Sequence, residues 1–108
     1  MRDRILGELE RSVQRLIRDH PEVRRILLFG SHARGDAGLW SDADILLVLS
    51  SSPHGRYFDR IPDFLEYFLD VSVPVDIFPY TEEEVDRMNR SGNPLIRTAL
   101  EGLVVAEA

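Results

Sequence analysis

Two continuous apolar runs of strand length, joined by a short polar loop, are the strongest constraint on the fold of this chain. The runs read RRILLFG (residues 24–30) and ADILLVLS (residues 43–50). A strand with one face in water alternates apolar and polar residues, whereas a strand covered on both faces is apolar throughout. We therefore predict that both runs are central strands of a sheet.

The rest of the chain supplies helices and two further strands. VPVDIFPY (residues 73–80) reads as a third strand, whose prolines confine its pairing to Val75 through about Phe78, and LVVA near the end reads as an edge strand. Two apolar stripes at helical spacing predict amphipathic helices. The stripes are Ile5, Leu6, Leu9, Val13, Leu16 and Ile17, then Phe58, Ile61, Leu65, Phe68 and Leu69.

Local capping signals complete the predicted order of elements. Thr81 followed by Glu84 is a capping box, and Asn93-Pro94 is an N-cap with proline at the first helical position. We interpret the aromatic residues of the same segment, Phe58, Phe64 and Phe68, as core and not as a base-stacking platform. The order αββαβααβ predicts an α/β (α+β) fold in which helices pack on a small mixed sheet.

Length and composition bound the class of protein. The chain has 108 residues, so we expect residues 1–108 to form one domain. Its charged N-terminus lacks a secretory apolar core and no run is long enough to span a membrane, which favours the cytoplasm and excludes a membrane partner. The net charge of -6 argues against nucleic acid as the main partner. Without cysteine, any metal must have oxygen or imidazole ligands.

Three aspartates stand where strand residues would normally be apolar. Asp42 and Asp44 are two residues apart at the start of the second run, so they point to one side if strand geometry extends that far. Asp76 lies between Val75 and Ile77 in the third strand. If the strands are neighbours, three carboxylates meet, and such a cluster is stable in its ionised form only with a cation between its members. Oxygen ligands select Mg²⁺ or Mn²⁺.

Gly30-Ser31, at the end of the first run, supplies a complementary feature. A glycine at a strand end lets a ligand approach the backbone, and a serine that opens a turn or short helix offers a hydroxyl and amide donors to an anion. We predict a phosphate-binding position there. Phosphate oxygens could then bridge two metal ions held by the aspartates.

Together these residues resemble the polymerase-beta-type nucleotidyltransferase superfamily. The shared pattern is Gly30-Ser31, ten intervening residues, Asp42-Ala43-Asp44, and Asp76 on a later strand. The GSHARGDA and SDAD wording, with VDIFPYTEEEVDRM and NPLIRTALEGLVVA later, resembles its minimal nucleotidyltransferase (MNT, MntA-like antitoxin) branch. The resemblance covers nearly the whole chain.

The resemblance implies a role for each matching residue. Gly30 and Ser31 would hold the outer phosphates of ATP, Asp42 and Asp44 would bind two Mg²⁺ ions, and Asp76 would bind the catalytic ion and help to activate the acceptor hydroxyl. It also implies transfer of AMP from ATP to a partner protein, with a HEPN-domain toxin as that partner. The alternative is a non-catalytic antitoxin that neutralises its partner by binding alone.

Residues near the motif have two interpretations each. Arg34 either contacts a phosphate, which makes it a third nucleotide-binding candidate, or anchors its own loop to Asp36. Trp40 either packs over the loop or meets a base or a partner. His20, His32 and His54 lack metal-ligand spacing and receive no role.

Overall fold

A computed structural model describes residues 2–38 and 41–108, the first two by backbone only. The predicted order of elements is confirmed, with one short helix added after the first strand. The elements are α1 (Arg2–Asp19), β1 (Val23–Phe29), α2 (Ser31–Arg34), β2 (Ala43–Leu49), α3 (Tyr57–Leu65) with a 3₁₀ turn (Glu66–Phe68), β3 (Val75–Thr81), α4 (Glu82–Arg90), α5 (Pro94–Leu100) and β4 (Leu103–Glu107).

The four strands form one mixed sheet in the order β3-β2-β1-β4. β1 pairs antiparallel with β2 and with β4, and β2 pairs parallel with β3. Both continuous apolar runs are therefore central strands, as predicted, and β4 is an edge strand. The α/β fold class, with helices on a small mixed sheet, is confirmed.

Each face of the sheet has its own buried cluster. Helix α1 and the segment from Phe64 to Val73 cover one face, and α4 and α5 cover the other. Alternate residues of β2 serve opposite faces, since Ile45 packs with the first cluster and Leu46 with the second. This two-sided burial is why β1 and β2 have no polar alternation.

The predicted end of β3 was wrong. The strand does not stop near Phe78 but pairs with β2 as far as Thr81, with Pro79 opposite Leu47. Proline is tolerated because β3 is an edge strand and the missing N–H lies on its outer side. On that side the Pro79 carbonyl accepts a hydrogen bond from Arg60 Nη1 at 3.1 Å.

The second apolar stripe is only partly core. Phe64 and Phe68 are buried, as expected, but the side chains of Phe58 and Leu69 are each 75% exposed. The assignment of Phe58 to the core was therefore wrong. Helical periodicity identifies a stripe, but it does not show how much of that stripe another element covers.

Both predicted helix starts are confirmed. Thr81 and Glu84 form a complete capping box at α4, and the Asn93 side chain accepts a hydrogen bond from the Ile96 amide at the start of α5. Within the described part of the chain, none of the helices has the length and apolar character needed to cross a membrane. The cytoplasmic location stays a prediction.

Candidate active site

The register of the parallel pair brings two of the predicted aspartates together. Asp44 is the direct partner of Asp76 across β2 and β3, and on its other side it lies opposite Phe29 of β1. Asp44 is half-buried and Asp76 is exposed. The sequence required the strands of Asp44 and Asp76 to be neighbours, and β2 and β3 are neighbours in the sheet.

Asp42 joins them from the residue just before β2. Its carboxyl group is close enough to share a hydrogen bond with that of Asp76, and its charge also acts on Asp44. Burial and then repulsion by Asp76 and Asp42 raise the pKa of Asp44, which nearby His32 partly offsets. Burial, with Asp42 as the second cause, raises the pKa of Asp76. All three predicted carboxylates thus interact.

Gly30 closes the other side of this cluster. Its backbone has φ 78° and ψ -153°, a conformation almost confined to glycine. A Cβ atom at this position would lie 2.6 Å from Asp44 Oδ2. A side chain is therefore excluded twice, by the backbone and by the carboxylate that it would meet.

Ser31 opens the short helix that follows. Helix α2 spans Ser31–Arg34 and ends at Gly35, which is left-handed. The first backbone N–H groups of a helix have no partner within the helix. In α2 these N–H groups begin at Ser31, one residue after Gly30, which lies against Asp44. The sequence predicts a phosphate at this position.

Arg34, at the end of α2, makes the contact with Asp36 that one of its two interpretations predicted. Its Nε donates a hydrogen bond of 3.1 Å to Asp36, and both side chains are exposed. Arg34 also lines a small cavity of about 180 Å³ together with Gly30 and Glu101. Arg34 therefore lies beside Gly30, while its guanidinium group pairs with Asp36 in solvent.

Sequence reasoning missed His32. Only 3% of this residue is exposed, and its Nε2–H donates a 2.8 Å hydrogen bond to the carbonyl of Ser41, the residue before Asp42. His32 thus ties α2 to the start of β2. No local signal predicts this contact, because it joins residues on opposite sides of a loop. The interpretation of Trp40 falls outside the described residues.

The chemistry of the cluster fits a hard divalent cation. Its donors are carboxylate oxygens, the ligands that Mg²⁺ and Mn²⁺ prefer. In the described ranges, 2–38 and 41–108, no three His, Asp or Glu side chains already have the spacing of a metal site. Asp42, Asp44 and Asp76 nevertheless act on one another's pKa values, and carboxylates of like charge repel one another unless a cation lies between them.

The sequence and the fold together identify the class of protein. The family model described as "Nucleotidyltransferase domain" matches residues 8–104. The chain therefore belongs to the nucleotidyltransferase domain family, as the motif resemblance predicted.

Individual relatives agree with this assignment. A Methanocaldococcus jannaschii protein, provisionally named a protein adenylyltransferase, is 32% identical over 68 residues, which are 63% of this chain and 79% of that protein. A crystal structure from Sulfolobus solfataricus, provisionally described as a nucleotidyltransferase, has a TM-score of 0.67 at 30% identity and covers 80% of this chain and 75% of that one.

A second solved structure has the same fold at lower identity. It is described as a toxin-antitoxin with AMP-PNP, has a TM-score of 0.62 at 20% identity, and covers 92% of this chain and 73% of that chain. At this identity the likeness concerns the fold alone.

Proposed function

We propose that this chain is a metal-dependent enzyme that transfers AMP from ATP to a hydroxyl group of a partner protein. The observation that carries the proposal is that Asp44, which lies against Gly30, is the strand partner of Asp76, and that the charge of Asp42 acts on both. The names of the relatives support the direction of the proposal, since the M. jannaschii protein is provisionally named for transfer of adenylate to protein.

The three aspartates are the proposed metal ligands. Asp42 and Asp44 would hold two Mg²⁺ ions, with Mn²⁺ as a substitute, and Asp76 would share one of them. When bound, such ions neutralise triphosphate charge and polarise the phosphoryl oxygens. Charge neutralisation and positioning supply most of the rate in this kind of transfer.

The nucleotide would lie against Gly30 and the start of α2. The absence of a side chain at Gly30 lets phosphate oxygens approach the backbone, and Ser31 offers its hydroxyl and amide. Arg34 would contact the phosphates in exchange for its solvent-exposed pair with Asp36. The exchange costs little, because exposed ion pairs contribute only about 0–1 kcal/mol.

The acceptor would approach from the side of Asp76, which is exposed, whereas Asp44 is half-buried. The acceptor oxygen forms a bond to the α-phosphorus of ATP, and its proton passes to an Asp76 carboxylate oxygen. The bond between the α-phosphorus and the oxygen bridging to the β-phosphate breaks, and pyrophosphate leaves. Asp76 thus has a role that the more enclosed Asp44 cannot take.

The proposed partner is a HEPN-domain toxin, and the chain its antitoxin. The motif resemblance implies this partner, and the toxin-antitoxin structure with AMP-PNP has the same fold. A protein acceptor also agrees with the exposed apolar side chains of Phe58 and Leu69, which could equally serve an antitoxin that acts by binding alone.

The direct test is label transfer. The chain is incubated with the protein encoded by its neighbouring gene, Mg²⁺ and ATP labelled in the α-phosphate. We expect label on the partner, lost with EDTA and reduced about 100-fold or more by Asp42→Asn. Asp86→Asn is the matched control, because Asp86 is an exposed carboxylate on α4 outside the cluster.

The same variants separate catalysis from binding. Replacement of Asp42, Asp44 and Asp76 together by asparagine should abolish neutralisation of the partner if the enzyme acts catalytically. It should leave neutralisation intact if the chain works by contact alone. Absence of label transfer, with Asp42→Asn indistinguishable from wild type, would refute the enzymatic proposal.

A further inference from the structure

A groove runs along the outer edge of β3 and reaches Asp76. It has a volume of about 410 Å³ and is mainly apolar, with Asp76 and the hydroxyl groups of Tyr57 and Tyr80 as its polar side-chain groups. Phe58, Ile61 and Leu65 of α3 form one wall, Val75 belongs to the strand itself, and Leu95 of α5 lies on the other side. We call this the β3 edge groove. Its position joins an apolar surface directly to one of the proposed catalytic carboxylates.

Val75 and Ile77 of β3 both line this groove, Val75 half-buried and Ile77 5% exposed. In a strand, the N–H and C=O groups of successive residues point to alternate sides. The Pro74 carbonyl accepts a hydrogen bond from the Ala43 amide of β2, whereas the Pro79 carbonyl faces outwards to Arg60. The even-numbered residues of β3 therefore pair with β2, and the backbone groups of Val75 and Ile77 point away from the sheet.

The rest of the outer edge is closed. Pro79 has no N–H and its carbonyl is taken by Arg60, and the Thr81 amide donates to Glu84 Oε1. Among the hydrogen bonds of the described residues, none occupies the outward groups of Val75 and Ile77. The outward backbone groups without a partner in the described part of the chain thus belong to the two residues that flank Asp76.

The charged residues around the groove indicate the charge of the segment that would bind there. Asp59 and Glu66 lie next to the groove residues Phe58 and Leu65 and are exposed, and Asp76 adds a third carboxylate. On the basic side, Arg60 is buried and paired with Glu84, and Arg56 is exposed next to Tyr57, so three carboxylates face one exposed guanidinium group. An apolar floor, an acidic rim and unpaired strand donors and acceptors together suit an extended segment that carries apolar and basic residues.

We propose that the β3 edge groove binds the acceptor protein as an added strand, in which a basic, extended segment pairs with Val75 and Ile77 and presents its hydroxyl-bearing residue to Asp76. This inference rests on the proposed function, because it specifies how the acceptor of that reaction is held. Two open residues provide few hydrogen bonds, so the contact is short and suits a substrate that must leave after transfer.

The test uses a synthetic peptide with a central tyrosine flanked by alternating valine and lysine residues. Backbone amide exchange of the full chain is followed by NMR with and without the peptide. We expect the outward amides of Val75 and Ile77 to exchange at least about 10-fold more slowly with the peptide, since each gains a strand hydrogen bond. A peptide with glutamate in place of lysine should give no slowing, because the rim is acidic.

A matched pair of variants locates the binding. Phe58→Asp adds a charge to the groove wall at a side chain that is 75% exposed, so its thermal midpoint should stay near wild type while the slowing is lost. Val104→Asp makes the same change at a 50% exposed position on β4, the opposite edge, and should retain the slowing. With the protein acceptor, Phe58→Asp should raise KM about 10-fold or more and leave kcat within about twofold.

Other results would overturn the inference. Slowing at β4 instead of β3, no slowing at all, or slowing caused by raised protein concentration alone would each reject it, the last because a second copy of the chain would then occupy the groove. The exchange measurement needs no catalysis. Failure of AMP transfer would therefore refute the proposed function while the peptide result still decides the docking site.

Discussion

At the scale of single residues, Gly30 couples the backbone to the carboxylate cluster. Gly30→Ala should abolish most activity, because a Cβ atom would displace Asp44 Oδ2 and the residue would leave its glycine-specific conformation. The backbone change should also cost about 1–3 kcal/mol of the free energy of unfolding. Urea unfolding and label transfer measure the two effects. Gly55→Ala is the control, since a Cβ there meets nothing within 4 Å; equal behaviour of the two variants would contradict the prediction.

His32 is a positioning residue at the same scale. Its Nε2–H donates to the Ser41 carbonyl, which positions Asp42, the residue just before β2. His32→Ala should weaken Mg²⁺ binding about 10–100-fold, a loss typical of removing a group that orients a metal ligand. His32→Gln, whose amide can donate from a similar position, should recover much of this affinity. Calorimetric titration with Mg²⁺ measures it, and equal losses in both variants would mean that His32 acts only by filling space.

At the scale of elements, Arg60 joins three segments of the chain. It donates to the carbonyls of His54 and Pro79 and to both carboxylate oxygens of Glu84. The side chain of Arg60 is 5% exposed, and its hydrogen bond to Glu84 is 2.6 Å long. This residue therefore fixes α3, the end of β3 and the start of α4 relative to one another, and with them one wall of the β3 edge groove.

The pH dependence of stability follows from this pair. The hydrogen bonds from Arg60 lower the pKa of Glu84 from 4.5 to about 2. Because the folded-state pKa lies below the unfolded one, the contribution of Glu84 is fully present above about pH 4.5 and is lost as the pH falls towards 2. Glu84→Gln should cost about 2 kcal/mol at pH 7 and progressively less below pH 4.5. Urea unfolding at several pH values measures this.

A surface pair provides the control for that series. Glu83 and Arg87 lie one helical turn apart on α4, at 3.9 Å, and both side chains are largely exposed. Glu83→Gln should change the free energy of unfolding by less than about 0.5 kcal/mol at any of these pH values. If the two variants showed the same pH profile, general helix electrostatics rather than the Arg60 contact would explain the stability of this region.

The elements also show why the sequence predicted some features and not others. A charge inside an apolar strand is a local signal, so Asp44 and Asp76 could be identified, and alternation then placed Asp42 with them. The contact between Arg60 and Glu84 joins residues far apart in the chain, so no local sequence pattern predicts it. The exposure of Phe58 was equally hidden, because it depends on whether another element covers α3.

At the scale of the whole molecule, the folded chain holds carboxylates that repel one another, and Mg²⁺ should reduce this repulsion. The net charge is -6, and the raised pKa values of Asp44 and Asp76 mean that their ionisation opposes folding. In EDTA at pH 8, Asp76→Asn should therefore melt a few °C above wild type. With Mg²⁺ and ATP the order should reverse, because wild type gains the larger binding free energy.

Calorimetric melting of both proteins measures this reversal, with Asp86→Asn expected to follow wild type in both buffers. If Asp76→Asn melted lower in EDTA, or if Mg²⁺ and ATP shifted both proteins equally, the three carboxylates would not act as one cation site.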